Sequence, residues 1–230
     1  MIYIENKRRK LERIEAEYPN AIILDVTSKA EYAKKLSPFY PHCNIPIPYT
    51  DGITATCVEA VWQGLKVFQN EGVDTHVFNN DTMKNLKRTV RRLGLPKGHL
   101  RGVYGTELLG YFEARMQIYL PTYKWMLDNV TEVHNIITRI KNKSKEQDIV
   151  LLDYNTNIDF RDISSPMSHA GLIKLYIEDT YPQVGTEYTP LSKSEMNEKK
   201  ELKKTTRRKS KSKNTDTKCI NNNQPSLFDV

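Results

Sequence analysis

Apolar residues recur at helical or strand spacing along this 230-residue chain as far as Tyr181, and after Pro190 the recurrence stops. That boundary confines a hydrophobic core to the residues before it, enough chain for one sizeable domain. The net charge of +7 divides at the same place. From Leu191 to Val230, eleven Lys and Arg against five acids leave +6, and the other 24 basic and 23 acidic residues leave +1. The body is therefore not a basic nucleic-acid-binding domain by composition. The segment 191–230 reads as a disordered Lys/Arg-rich tail, either a solvated linker or a polycation that binds nucleic acid weakly and without sequence preference. No apolar run reaches the length of a membrane span, and MIYIENKRRK has no signal-peptide core, so no membrane role is expected. Cys43, Cys57 and Cys219 form no disulfide framework, and no Cys/His cluster suggests a metal. The chain reads as cytoplasmic, from a bacterium or from a phage in a bacterial host, with no cofactor.

Local patterns point to a mainly α domain, α+β with one or two short strands. Asn6 to Pro19 has helical character, and AIILDVTS (Ala21 to Ser28) is a buried strand, so residues 1–35 read as a helix and strand packed on the core. The domain proper spans 36–182. SPFYPHCNIPIPYTDG, with Pro38, Pro41, Pro46 and Pro48, is a rigid extended loop. Val58, Val61, Trp62, Leu65 and Phe68 share one helical face, which predicts a helix over Thr56–Gln69. Asn85–Leu93 reads as a basic helix stopped by Gly94 and Pro96. Thr106–Ile118 reads as another, with a kink or restart at Pro121. DIVLLDYNTNIDF starts as a buried strand and ends as a polar loop, and Ser168–Tyr181 is a last amphipathic helix.

Four groups of residues could carry chemistry. At about 100° per residue, Glu59, Gln63 and Lys66 form one polar stripe beside the apolar face. They could line a pocket edge, or Thr56-x-x-Glu59 could be a capping box on an ordinary surface helix. Phe39, Tyr40 and His42 sit in the proline-held loop feeding that helix. An aromatic held this way is a platform for a flat base, though the rings could equally cover the core. Asp153, Asn155, Asn157 and Asp159 leave a strand end on one side if the chain stays extended, or they make an Asn/Asp-rich turn. Arg115, among Tyr111, Tyr119 and Tyr123, could hold a phosphate or pair with a buried carboxylate.

The order of these pieces resembles the NADAR (YbiA-like) family. A Phe-Tyr-Pro loop (Phe39 to Pro41) precedes a helix of the form T-x-x-E-x-x-[aromatic]-Q-x-x-K-x-F, here Thr56, Glu59, Trp62, Gln63, Lys66 and Phe68. An RLG segment, a strand ending in acids and amides, and the helix HAGLIKLYIE follow. Ser37-Pro38, Ala60 and Ser168-His169 depart from the family pattern. The resemblance implies a compact helical domain that hydrolyses the N-glycosidic bond of a ribosylated or ADP-ribosylated base or nucleotide. It assigns Glu59 to stabilise the ribosyl cation or activate water, and Asp153 or Asp159 to position the sugar. Asn155 and Asn157 would contact hydroxyls or phosphate, Phe39 would stack the base, and Lys66 and Arg115 would hold phosphate or orient the carboxylates. The alternative is a non-catalytic module associated with DNA or a sliding clamp.

The chain closes on QPSLFDV. Gln224, Ser226, Leu227 and Phe228 resemble the peptide Q-x-[SD]-L-F by which bacterial replication and repair proteins dock on the sliding clamp. Two apolar anchors on a flexible leash suit such docking. Together with the tail's basic charge, this would bring the domain to DNA at replication sites.

Overall fold

The computed structural model describes residues 1–183 and 186–211. Along the chain run β1 (Ile2–Asn6), α1 (Leu11–Glu17), β2 (Ile22–Asp25), β3 (Ile45–Pro46), β4 (Thr54–Ala55), α2 (Val58–Gly64) and β5 (Lys66–Phe68). They are followed by α3 (Val90–Leu93), β6 (Pro96–Leu100), β7 (Leu108–Leu109), α4 (Tyr111–Ala114), α5 (Leu120–Asn129), α6 (Thr131–Lys143), β8 (Ile149–Asp153), α7 (His169–Ile177) and α8 (Lys193–Lys211). The fold is α+β. Strand pairing goes beyond the one or two strands expected, because several strands are only two or three residues long and carry little periodic signal.

The central sheet is parallel, in the order β1-β8-β2. Residues 1–35 thus supply two of its three strands. β8 lies between them with Ile149, Val150 and Leu151 fully buried, as a strand covered on both faces must be. Alternation along β8 splits these residues: Val150 packs with Ile14 of α1 and Ala21, while Ile149 and Leu151 face the main core beside α7. A second sheet, β5-β6-β7, is antiparallel and pairs Lys66 with His99.

Besides Thr106–Ile118, whose first residues hold β7 so that the helix starts only at Tyr111, four segments differ from the periodicity reading. The helix expected over Thr56–Gln69 ends at Gly64, and Lys66–Phe68 turns into a strand. Edge pairing with β6 overrides the helical spacing there, and Gly64 leaves room for the Phe78 ring, which a Cβ would overlap. The basic helix over Asn85–Leu93 shrinks to one turn, stopped at Gly94 by a φ of 80°. Pro121 breaks nothing: a π-turn over Arg115–Tyr119 joins α4 to α5. The widened register accommodates the proline's missing N–H, and the chain bends instead at extended Val130.

The fourth difference is the tail. Disorder was expected from residue 191, yet Lys193–Lys211 is helical. The segment has no Gly or Pro and is rich in Lys, Glu and Arg, all good helix formers. Ser192 and Glu195 cap it reciprocally: the Ser192 N–H donates to Glu195 Oε2 at 2.7 Å, and the Glu195 N–H donates to Ser192 Oγ at 3.3 Å. Lys199 of α8 bridges Asp159 at 2.7 Å and Asp162 at 3.2 Å. The clamp-like residues Gln224, Ser226, Leu227 and Phe228 lie outside the described residues. Among the described residues, no helix is long and apolar enough to cross a membrane.

Candidate functional site

A cavity of about 580 Å³ opens where β2 and β8 end. This is a size typical of small-ligand sites, and the carboxyl ends of parallel strands are where α/β folds place them. Thr27 and Ser28 border it after β2, Asp153 to Asn155 after β8, Phe39 from the proline loop, and Glu59, Trp62 and Gln63 from α2. Lys66, Lys87, Arg88, Thr89, Tyr111, Arg115, Tyr119 and His169 also line it.

Glu59 faces this cavity because it is not a capping residue. Cys57 caps α2, its Sγ accepting from the Ala60 N–H at 3.3 Å, while the Thr56 hydroxyl donates to the Asn80 carbonyl at 2.7 Å. The Glu59 carboxyl is free to accept from Gln63 Nε2, one turn on, at 2.8 Å. Glu59 is 7 % exposed. Burial pushes its carboxyl above the ordinary range, against the Gln63 hydrogen bond and the charges of Lys87 and Lys66.

Asp153 is the opposite case. Burial alone would raise it, but His169 Nδ1 at 3.0 Å and the Ser168 hydroxyl at 2.7 Å hold it below its usual value. The Tyr154 N–H donates to its other oxygen at 2.7 Å. His169 also contacts the Val26 carbonyl through Nε2 at 2.7 Å. A carbonyl can only accept, so Nε2 carries a proton, and Nδ1 donates toward the carboxylate. Burial opposes that charge on His169, yet Asp153 outweighs it and the pKa rises. Tyr119 lies within the field of both carboxyls. Burial first, then Glu59 and Asp153, raise its phenol well above the ordinary value. Trp62, also in the wall, packs on His99 with ring centroids 3.7 Å apart and planes tilted by 32°, and Tyr119 meets it edge-on at 5.5 Å.

Of the residues singled out from sequence, the cavity gathers Phe39, Glu59, Gln63, Lys66, Arg115, Asp153 and Asn155. Tyr40, His42, Asn157 and Asp159 are not in its wall. Asp159 leaves because the chain does not stay extended after β8. The Asn157 N–H donates to Asn155 Oδ1, the Asp159 N–H to Asn157 Oδ1 and the Arg161 N–H to Asp159 Oδ1, a run of Asx turns that curls the loop away. Asp159 then pairs with Lys199, and buried Asn157 donates to the carbonyls of Asp162 and Ser165. His42 hydrogen-bonds the Lys35 carbonyl at 2.8 Å beside Tyr40, and burial lowers its pKa. Arg115 is at the wall, but its guanidinium is committed. It donates to the carbonyls of Phe160, Asp162 and Ser165 and to the Tyr111 hydroxyl, fixing the loop that follows Asp153, and it pairs with no carboxylate among the described residues. The sequence assigns no site role to Lys87 or His169, because what brings them to the cavity comes from distant segments: Phe39 under Lys87, and Val26 and Asp153 against His169. Among the described residues no cluster of His, Cys, Asp and Glu could hold a metal.

Residues 6–173 match the model of a family of unknown function, DUF6939. The chain belongs to that family. No curated protein and no solved structure matches it. The DUF6939 match runs from the last residue of β1 into α7, and so takes in every residue of the cavity wall. It assigns no activity, so function has to be argued from the site.

Proposed function

We propose that this DUF6939 domain is an N-glycoside hydrolase acting on a ribosylated or ADP-ribosylated base. The carrying observation is one cavity bordered by two carboxyls whose environments push them apart, Glu59 upward and Asp153 downward. A raised carboxyl is the stronger base once ionised. Glu59 takes a proton from the water that attacks C1′, while the C1′–N bond breaks and its electron pair leaves with the base. Asp153, ionised and held by His169, Ser168 and the Tyr154 amide, orients ribose hydroxyls and faces the positive charge that builds on the sugar. Phe39 and Trp62 offer flat apolar surface to the departing base. The NADAR-like order of loop, helix, strand and final helix supports the same reaction class.

Release of free base or ADP-ribose from ADP-ribosylated DNA, ADP-ribose conjugates and phosphoribosyl-pyrimidines tests this. Wild type is expected to release product from at least one, and Glu59→Gln to lose about 10²-fold or more while staying folded. Release that survives Glu59→Gln, or no release from any of the three by wild type, overturns the reading.

A further inference from the structure

We propose that the cavity wall carrying Lys66, Lys87 and Thr89 is a subsite for a phosphate or diphosphate group. The inference deepens the glycosidase reading, on which it rests only for what else the ligand carries. Both lysines line the cavity, and neither ammonium makes an ion pair or a hydrogen bond with any described residue. Their contacts are with ring faces: Lys87 Nζ lies 5.6 Å from the Phe39 centroid and Lys66 Nζ 5.3 Å from that of Phe68. Lys7, Lys35, Lys124 and Lys174 on this domain, by contrast, have carboxylate partners.

Arg88, between Lys87 and Thr89, adds a third fixed positive charge. Its Nη1 donates to the carbonyls of Gln63 at 3.1 Å and Lys66 at 2.5 Å, and Nη2 donates to that of Gly72 at 2.7 Å. These bonds hold the guanidinium rigidly without neutralising it. The nearest carboxylate, Asp74, is 3.9 Å from Nε, which is buried with no hydrogen-bond partner. The anions elsewhere in the cavity do not cancel this field. Asp153 is matched by His169, and Glu59, whose charge acts on both lysines once it ionises, is one carboxylate against three cations. Arg115 is no substitute, since its donors are spent on the loop carbonyls. Two unpaired ammoniums, a neighbouring fixed guanidinium and the Thr89 hydroxyl, in the same cavity as Asp153, suit a group with several anionic oxygens. A ligand with ribose at Asp153 and phosphate at Lys87 would span the site.

Calorimetric titration of the full chain with inorganic pyrophosphate tests this without any turnover. Exposed Lys87 can be changed without touching the core. Binding to wild type is expected to be displaced by ADP-ribose, to weaken tenfold or more in Lys87→Gln, and to recover in Lys87→Arg. Lys200→Gln, in the basic helix outside the cavity, should leave it unchanged. No binding to wild type, or equal binding to Lys87→Gln, overturns the subsite. Pyrophosphate binding that depends on Lys87 in a protein that hydrolyses no N-glycoside would sustain the subsite and sink the hydrolase. Equal hydrolysis of phosphorylated and unphosphorylated ribosides would do the reverse.

Discussion

His169 Nδ1 lies 3.0 Å from Asp153 Oδ2, while the other ring nitrogen lies 2.7 Å from the Val26 carbonyl. The ring is thereby held as an imidazolium between two acceptors, and it ties the start of α7 to the ends of β8 and β2. Both pKa shifts stabilise the fold, in opposite pH directions. The raised His169 contributes fully below its unfolded value of about 6.5, and its contribution is lost as pH rises through the higher folded value. The lowered Asp153 contributes above about 3.9, and its contribution is lost as pH falls through the lower folded value. His169→Gln should therefore cost most between those limits, about 3 kcal/mol. The gap from wild type should narrow on either side. Urea unfolding of both proteins across pH 3 to 9 measures it, and a gap independent of pH would rule out the ion pair.

Glu59 makes the opposite trade. With its folded pKa raised, the wild type loses stability as pH climbs from the unfolded value of about 4.3 through the folded one. Glu59→Gln escapes that loss while still accepting from Gln63. The variant should melt higher than wild type at pH 8 and about level with it at pH 4. Thermal scans at the two pH values decide the matter.

The same group sets the acid limb of any hydrolysis. Activity is expected to rise with pH as Glu59 ionises, at a pH above that of an ordinary glutamate. The Lys87 charge holds that pKa down, so Lys87→Gln should move the limb to higher pH. A pH–kcat profile of the two proteins reads the shift, and a shift to lower pH would contradict the arrangement.

Arg115 is a positioning residue for the loop after Asp153. Arg115→Met would leave the carbonyls of Phe160, Asp162 and Ser165 without their donor, at a cost of about 3 kcal/mol. Chemical denaturation should register that loss, and a near-neutral result would mean that the loop is held by other contacts.

Lys199 joins α8 to the same loop through Asp159, which like Lys199 is partly exposed, and through Asp162, which is buried but also held by Ser164. Lys199→Ala should cost less than about 1 kcal/mol of global stability. It should nevertheless speed amide exchange in residues 193–202, which hydrogen-exchange mass spectrometry can follow. Unchanged exchange would show that the bridge does not anchor the helix.

The sequence by itself marked β2, β8, α2 and α7 through their periods. It also singled out Glu59 with Gln63, whose four-residue spacing brings them together within one helix, and Asp153 at the end of a strand too apolar to be anything but buried. These are local facts, carried by residues within one turn or one strand of each other. Only the tertiary structure decided how the local pieces are spent. Asp159 was drawn off by Asx turns and Lys199, Arg115 was claimed by carbonyls 45 to 50 residues away, and His169 reached Val26 across 143 residues. No periodicity encodes such partners. They are chosen when parallel strands more than 120 residues apart in the chain close into one sheet, because buried polar groups must then find whatever donors and acceptors packing brings within reach.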